Sequence, residues 1–408
     1  MNVRVLAALL TLATCFASPG ILWADTAEVL PKGVSVINLN SELYFPIDER
    51  YDPNGDTEDI AADFNANLNS TVFRDLALME AAFMMPPGSA TLGSSVVSFE
   101  YEAYVFEFKF YHGITDRLTA GINIPYWVMK NKVNARVDSS TATVGTNPYL
   151  GMPGDPFGGA PFIPISLGGQ PLTTDDVQDL LVREYGYKKI EPWSKDGLSD
   201  IEVGIRYQYL NTENWRLACT AGVILPTGVE DDPDNLVDYG FGSGTYAPFL
   251  SLHTDYVGIK NLLLDLTLHY ELYLPHHEEL RVPEDPNHPI TVNKERVDRD
   301  LGDVFEAEAE CQYQFTEGLS GFAIYKYGQK LKDGISGDGG FSYEALEDET
   351  NYTEHVAKVG LTYSTIPLYQ EKKFPVPMTL SISYRNRFAG SNNVFKSEYI
   401  GLSVSVYF

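Results

Sequence analysis

Cysteine is almost missing: there are three in 408 residues, and Cys15 lies in the N-terminal stretch. The other two, Cys219 and Cys311, fall mid-strand by pattern, on outer faces of non-neighbouring strands, so no disulfide framework is expected. Positive charge is scarce, with 29 Lys and Arg against 56 Asp and Glu and a net charge of -27. That balance excludes nucleic acid as a partner, because phosphate neutralisation needs a basic face. After the first 24 residues no apolar run approaches the roughly 20 residues of a membrane helix. Any part of the chain that crosses a bilayer must therefore do so as a closed barrel.

Catalytic and metal signatures are also poor. No Gly-x-Ser-x-Gly occurs, and His276-His277-Glu278-Glu279 lacks a second ligand group at zinc spacing. Asp52, Asn54 and Asp56, with Asp63 at the twelfth place, offer the alternate oxygens of a calcium loop. Thr57 stands where that loop needs Gly, and its closing Glu is missing. The reading is of a non-enzyme with no cofactor and no metal beyond that weak calcium candidate.

What is present sits at the two ends and in between. Met1 to Ala24 has an early cation, Arg4, an apolar run from Val5 to Phe16 and a small-residue cleavage site, the pattern of a signal peptide cut after Ala24. A lipoprotein reading would use Cys15, but Thr14 occupies a position that wants Gly or Ala. At the other end, Ile400, Leu402, Val404, Val406 and Phe408 are apolar at period two, with Gly401, Ser403 and Ser405 between them. Such a strand, one face apolar and one wet, ending on an aromatic residue, suits an outer-membrane barrel and recognition by its assembly machinery.

About twelve period-two segments can be read, near 34–45, 95–111, 117–128, 199–210, 215–226, 246–256, 262–274, 303–315, 319–328, 353–364, 377–388 and 395–408. The clearest runs from Leu262 to Leu274, with Leu and Tyr on one face and Asp265, Thr267, His269 and Glu271 on the other. Short links alternate with long polar ones, among them 46–94 and 129–198. Long loops outside and short turns inside are the asymmetry of a Gram-negative outer-membrane barrel, here residues 25–408 with both termini periplasmic. Aromatic residues at strand ends, such as Phe45, Tyr126, Trp127, Tyr209, Trp215 and Phe315, fit a lipid-facing girdle.

Two stretches carry a family resemblance. Gly113-Ile114-Thr115-Asp116-Arg117-Leu118, followed by Gly121 to Tyr126, and Gly197-Leu198-Ser199-Asp200-Ile201-Glu202-Val203-Gly204, followed by Trp215 to Leu225-Pro226-Thr227-Gly228, resemble the outer-membrane barrel family linked to meta-cleavage phenol degradation. The resemblance covers about 95–256 and implies a barrel that passes small hydrophobic, often aromatic, compounds.

The loops and the interior supply candidates for that work. Asp75 to Met85 reads as a short apolar helix ended by Pro86-Pro87-Gly88, and it should fold into the barrel mouth. Phe73, Leu76, Met79, Phe83, Met84 and Met85 are the plug or ligand-path candidates, with Met adapting to varied ligands. In the second loop, Thr174 to Tyr185 fits a helix capped by Thr173 or Thr174 and ended by Gly186, in a segment that either narrows the pore or forms an external lid. Inward-facing charges are Asp265, His269, Glu271, Glu306, Glu308 and Glu310 against Lys109, Arg206, Arg216, Lys358 and Arg385. They form either a transverse field or a set of pairs that fills the lumen. The acidic loops face lipopolysaccharide, with divalent cations between. The expected function is passive passage of a small, hydrophobic or aromatic solute; a water-filled porin, a sheath for a periplasmic redox partner and a lipid-acting enzyme are the rivals.

Overall fold

The computed structural model describes residues 26–408, so the expected signal segment 1–24 lies outside the described residues. Twelve antiparallel strands close on themselves. They are β1 (Ser35–Tyr44), β2 (Tyr101–Thr115), β3 (Leu118–Asn131), β4 (Ile201–Asn211), β5 (Trp215–Leu225), β6 (Ala247–Ile259), β7 (Leu262–Glu271), β8 (Val304–Thr316), β9 (Leu319–Lys330), β10 (Tyr352–Ser364), β11 (Met378–Gly390) and β12 (Glu398–Tyr407). Each pairs with the next, and β12 pairs back to β1, so the barrel has no open edge. The segment Trp193–Leu198 continues β4 upward along β3 after a break at Ser199 and Asp200.

Burial is inverted relative to a water-soluble fold. On β7, Leu264, Leu266 and Leu268 are 37–48% exposed, while Asp265, Thr267 and His269 between them are at most 5% exposed. Lipid is the solvent such a surface fits, because only there do leucines outside and polar groups inside both gain. Not every expected girdle residue faces out. Tyr126, Tyr209, Trp215 and Phe315 do, but Trp127 and Tyr273 are buried inside, because β3 and the stretch beyond β7 point their odd-numbered residues inward there.

The strand ranges follow the period-two reading closely, with one break. Thr91–Ser98 does not begin β2; it pairs with Asn134–Asp138 and Asn67–Asn69 as a small separate sheet. Gly93, at φ +114, allows this, since a Cβ there would come within 2.4 Å of the Asp138 carbonyl oxygen. One barrel end carries short turns at 116–117, 212–214, 260–261 and 317–318, and a longer link, 365–377, that holds the one-turn helix Ile366–Gln370. The other end carries the long connections, which fold together as a dome.

The dome contains α1 (Leu76–Ala82) and α2 (Thr174–Arg183). Thr173 and Asp176 form a reciprocal capping box at the start of α2. A second small sheet joins His276–Arg281, Lys294–Asp300 and Gly334–Ser336. The helix α1 does not fold into the barrel mouth. Leu76 and Phe73 join a dome core with Leu92, Val144, Val177 and Leu181, and Met79 and Met85 pack against it. Met84 is 92% exposed, and Phe83 lies against Phe157 with ring centroids 6.4 Å apart. With fewer than three turns, α1 buries a single face, and the Glu80 carboxylate on that face accepts the Ala90 N–H at 3.0 Å, which ties the helix to the dome sheet.

Candidate functional site

The barrel interior has three parts: a chain segment on one wall, an aromatic closure at the dome end, and a polar cavity in the space left. The segment is residues 26–31. Asp255 on β6 accepts the Ala27 N–H at 2.7 Å, Gln208 on β4 donates to the Ala27 carbonyl oxygen at 2.8 Å, and Thr119 on β3 accepts the Leu30 N–H at 2.9 Å. Arg206 donates to the Thr26 carbonyl oxygen and is itself held by Thr220 at 2.9 Å; Arg216 pairs with Glu28 at 2.8 Å. Gly113 and Asp116, from the first family-like stretch, have a definite role here. A Cβ on Gly113 would come within 2.1 Å of the Pro31 carbonyl oxygen, and Asp116 accepts the Lys32 N–H at 3.0 Å. The segment crosses β2 where only glycine leaves room. Sequence reading missed it, because residues 26–33 have no period-two signal.

The dome end is closed by aromatic rings. Tyr101, at the start of β2, lies 5.6 Å from Phe395 and 6.4 Å from Tyr239 between ring centroids, and Tyr239 and Phe395 are 6.1 Å apart. Trp127 on β3 stacks on Phe241 at 6.1 Å and 17°. Ile47, Val97, Phe99, Met129 and Val237 complete this buried cluster. Two of its rings, Tyr239 and Phe241, come from the connection 226–246, and that loop is tied down along its length. Trp193 Nε1 donates to the Val237 carbonyl oxygen at 2.7 Å, and Lys195 pairs with Asp238 at 2.8 Å. Asp200 accepts from the Gly228 N–H at 2.9 Å and from the Ser243 N–H and hydroxyl at 2.7 Å each. Gly228 and Gly242 pass so close that a Cβ on Gly228 would lie 2.5 Å from the Gly242 Cα. The second family-like stretch, Gly197 to Asp200 with Pro226-Thr227-Gly228, is thus the anchor of the closing loop. The alternation Val237, Tyr239, Phe241 in a short acidic loop was its available signal.

Below the rings lies a cavity of about 1010 Å³ that reaches the short-turn end. Lys109, Arg206, Arg216, Glu306, Glu308, Glu310, Lys358 and Arg385 line it. Asp265, His269 and Glu271 are buried in the same interior without lining that space. The charges pair with near neighbours. Lys326 is 2.7 Å from Glu306 and 3.2 Å from Glu354, and Glu354 also holds Arg387 at 2.6 Å. Lys109 pairs with Glu107 at 3.1 Å, and His269 with Glu271 at 2.9 Å. The Arg385 guanidinium lies 5.3 Å above the Tyr399 ring. Acid and base meet from β8 to β11, whereas Asp255, Asp265 and Glu310 stand side by side across β6, β7 and β8, so the polarity of the wall is local. The remaining wall is small: Ser381 and Ser383 on β11 and Gly401, Ser403 and Ser405 on β12 leave the cavity its width.

In the dome, Glu278 sits 2.6 Å from Arg299, which reaches Asp333 at 3.3 Å. Burial pushes the Glu278 carboxyl up, but Arg299 and His276 outweigh it and hold it at about 2. Asp231, in the closing loop, goes the other way: burial, then the Asp238 carboxylate, raise it well above the usual range. The calcium candidate does not assemble. Asp52 accepts the Asn54 and Asp56 N–H groups at 2.7 and 2.9 Å as a turn, and Asp63 turns away to Arg50. Among the described residues no group of three His, Cys, Asp or Glu is placed to hold a metal.

A closed barrel with a lipid-facing girdle and a polar, charge-paired interior defines a channel-like outer-membrane β-barrel. The chain belongs to the family described as "Putative MetA-pathway of phenol degradation", whose model matches residues 87–396. Among solved structures it is similar to an outer-membrane channel from Pseudomonas putida F1, at 13% identity and a TM-score of 0.51, over 96% of this chain and 100% of that one. Weaker likenesses are to a FadL homologue from Pseudomonas aeruginosa, at 10% identity, TM-score 0.35 and 97% and 93% coverage of this chain and that one. The toluene transporter TbuX from Ralstonia pickettii aligns at 7% identity, TM-score 0.36 and 93% and 90% coverage. At such identities the likeness is one of fold. No curated protein matches the chain by sequence.

Proposed function

We propose that this protein is a passive outer-membrane channel for small, hydrophobic or aromatic solutes, gated by the ring cluster of Tyr101, Tyr239 and Phe395. In this reading a signal peptide is cut after Ala24, the short turns and both termini are periplasmic, and the dome faces outward. Residues 26–31 then enter the lumen from the periplasmic side.

The observation that carries the reading is the placement of that cluster. It stands between the dome and the polar, 1010 Å³ cavity, so a passing solute meets these rings before the wet space behind them. Ions and sugars lose hydration at such a closure, whereas an apolar solute gains contacts with the rings. Opening needs rotation of the Tyr101 and Phe395 rings and release of the contacts that hold 226–246 to Asp200 and Lys195, not the removal of a folded domain. The family's link to phenol degradation points to the same class of solute. A redox-partner sheath is disfavoured, because the closure, residues 26–31 and the paired wall charges occupy the interior.

The test is uptake of labelled toluene by intact cells that carry the barrel in a lipopolysaccharide-bearing outer membrane. Uptake should exceed that of cells without it, with no gain in small-sugar uptake. Equal toluene uptake in the two strains would contradict the reading.

A further inference from the structure

A second cavity lies in the dome, on the far side of the ring cluster from the lumen. Its volume is about 100 Å³. The floor is the sheet of Thr91–Ser98 and Asn134–Asp138, the roof is α2, and the ends are closed by residues from 60–73, 226–246 and 282–293. Phe64, Phe73, Val97, Val137, Val177 and Leu181 supply its inner surface.

Four of the polar groups at its border, Ser95, Thr174, Gln178 and Asp63, are already used, and Arg136 also lines it. Ser95 donates to the Phe64 carbonyl oxygen at 2.6 Å, and Thr174 accepts the Val137 N–H at 3.0 Å. The Gln178 side chain exchanges two hydrogen bonds with the Ile190 backbone, at 3.1 and 3.0 Å. Asp63 is paired with Arg50. A molecule in this cavity would meet mostly hydrocarbon walls, with the Arg136 side chain as the polar exception. An apolar cavity of roughly 150 Å³ stays dry and takes benzene. At 100 Å³ this one is two-thirds of that size, so benzene marks its upper limit and a fatty chain is excluded.

Its position gives it a use. Val97 belongs both to this cavity and to the ring cluster that closes the barrel, and Phe64 packs against that cluster while lining the cavity. The ring of Phe64 meets Phe99 edge-on at 4.7 Å, and Phe99 lies 6.5 Å from Tyr101. A ligand here is therefore two ring contacts from the gate.

We infer that the cavity beneath α2 is an outer binding site for one small apolar molecule no larger than benzene, poised against the gate. Its role as an antechamber rests on the channel reading above; the site itself does not.

The experiment is diffraction from crystals of the full barrel soaked in 1-bromopropane, with the bromine located by anomalous scattering. Occupancy between Val177 and Phe73 is expected, with loss of the peak in Val177→Phe and displacement by benzene. Should Val177→Phe fail to fold, Val137→Phe fills the same space from the sheet side. A wild-type crystal without bromine in the cavity overturns the site, as does retention of the peak in a folded filling variant. Bromine in the cavity of a barrel that gives cells no toluene uptake upholds the site and removes the channel reading. Uptake with an empty cavity does the reverse.

Discussion

Asp255 on β6 accepts the backbone N–H of Ala27 at 2.7 Å, across 228 positions of chain. The same residue, Ala27, gives its carbonyl oxygen to Gln208, so a two-sided clamp holds the N-terminal segment against the β4 to β6 wall. Loss of one clamp partner should free it. In a Thr26→Cys barrel, a hydrophilic maleimide is expected to label slowly, and adding Asp255→Ala should raise the rate at least tenfold. Equal rates would show that the segment is not held there.

The pairing of Glu354 with Lys326 and Arg387 is buried in the wall. Glu354→Gln leaves two cations without their shared carboxylate, which costs about 3–5 kcal/mol in comparable buried pairs. A lower midpoint of thermal unfolding in detergent is expected. Replacing Glu354 and Arg387 together with Leu and Met should recover part of the loss. A midpoint unchanged by Glu354→Gln would mean that the pair contributes nothing.

Acid should act on the dome in two opposite steps. Asp231 is raised by burial and by Asp238, so its protonated form favours the fold, and that contribution is lost as pH rises through its folded value. Glu278 is held at about 2 against an ordinary 4.5, so its contribution is present above 4.5 and is lost as pH falls towards 2. Protease resistance of the dome should therefore rise on mild acidification and collapse below about 4. Arg299→Ala should remove the second step's pH dependence while leaving the first. A flat profile in the wild type would refute both assignments.

Asp200 touches none of the gate rings, but it fixes both ends of the loop that carries Tyr239 and Phe241, through Gly228 and Ser243. In Asp200→Ala, chymotrypsin should cut after Tyr239 or Phe241 at a rate the wild type does not show, with the barrel itself intact by heat-modified mobility. Asp200→Asn, which keeps one acceptor oxygen, should be cut at an intermediate rate. Wild-type resistance in Asp200→Ala would remove this anchoring role.

Strand positions were readable because each strand has lipid on one side and water or polar groups on the other, which writes period two directly into residues such as Leu262 to Glu271. Inward charges such as Glu306 and Lys358 followed from the same alternation. The closure did not. It is made of single residues from four distant places, Tyr101, Trp127, Tyr239 and Phe395, and no local period links them. Residues 75–85 are apolar enough to suit a barrel mouth, but their apolar face is matched by the dome. Residues 26–31 were silent for a related reason: their partners, Gln208 and Asp255, lie on strands whose own signal says only that they face inward.

Single-channel conductance in planar bilayers tests the gate most directly. The wild-type barrel should be silent or only briefly conducting, because Tyr101, Tyr239 and Phe395 close the end of the 1010 Å³ cavity. Tyr239→Ala with Phe395→Ala should give stable openings. A wild type with steady large conductance, or a folded double variant as silent as the wild type, would contradict the account.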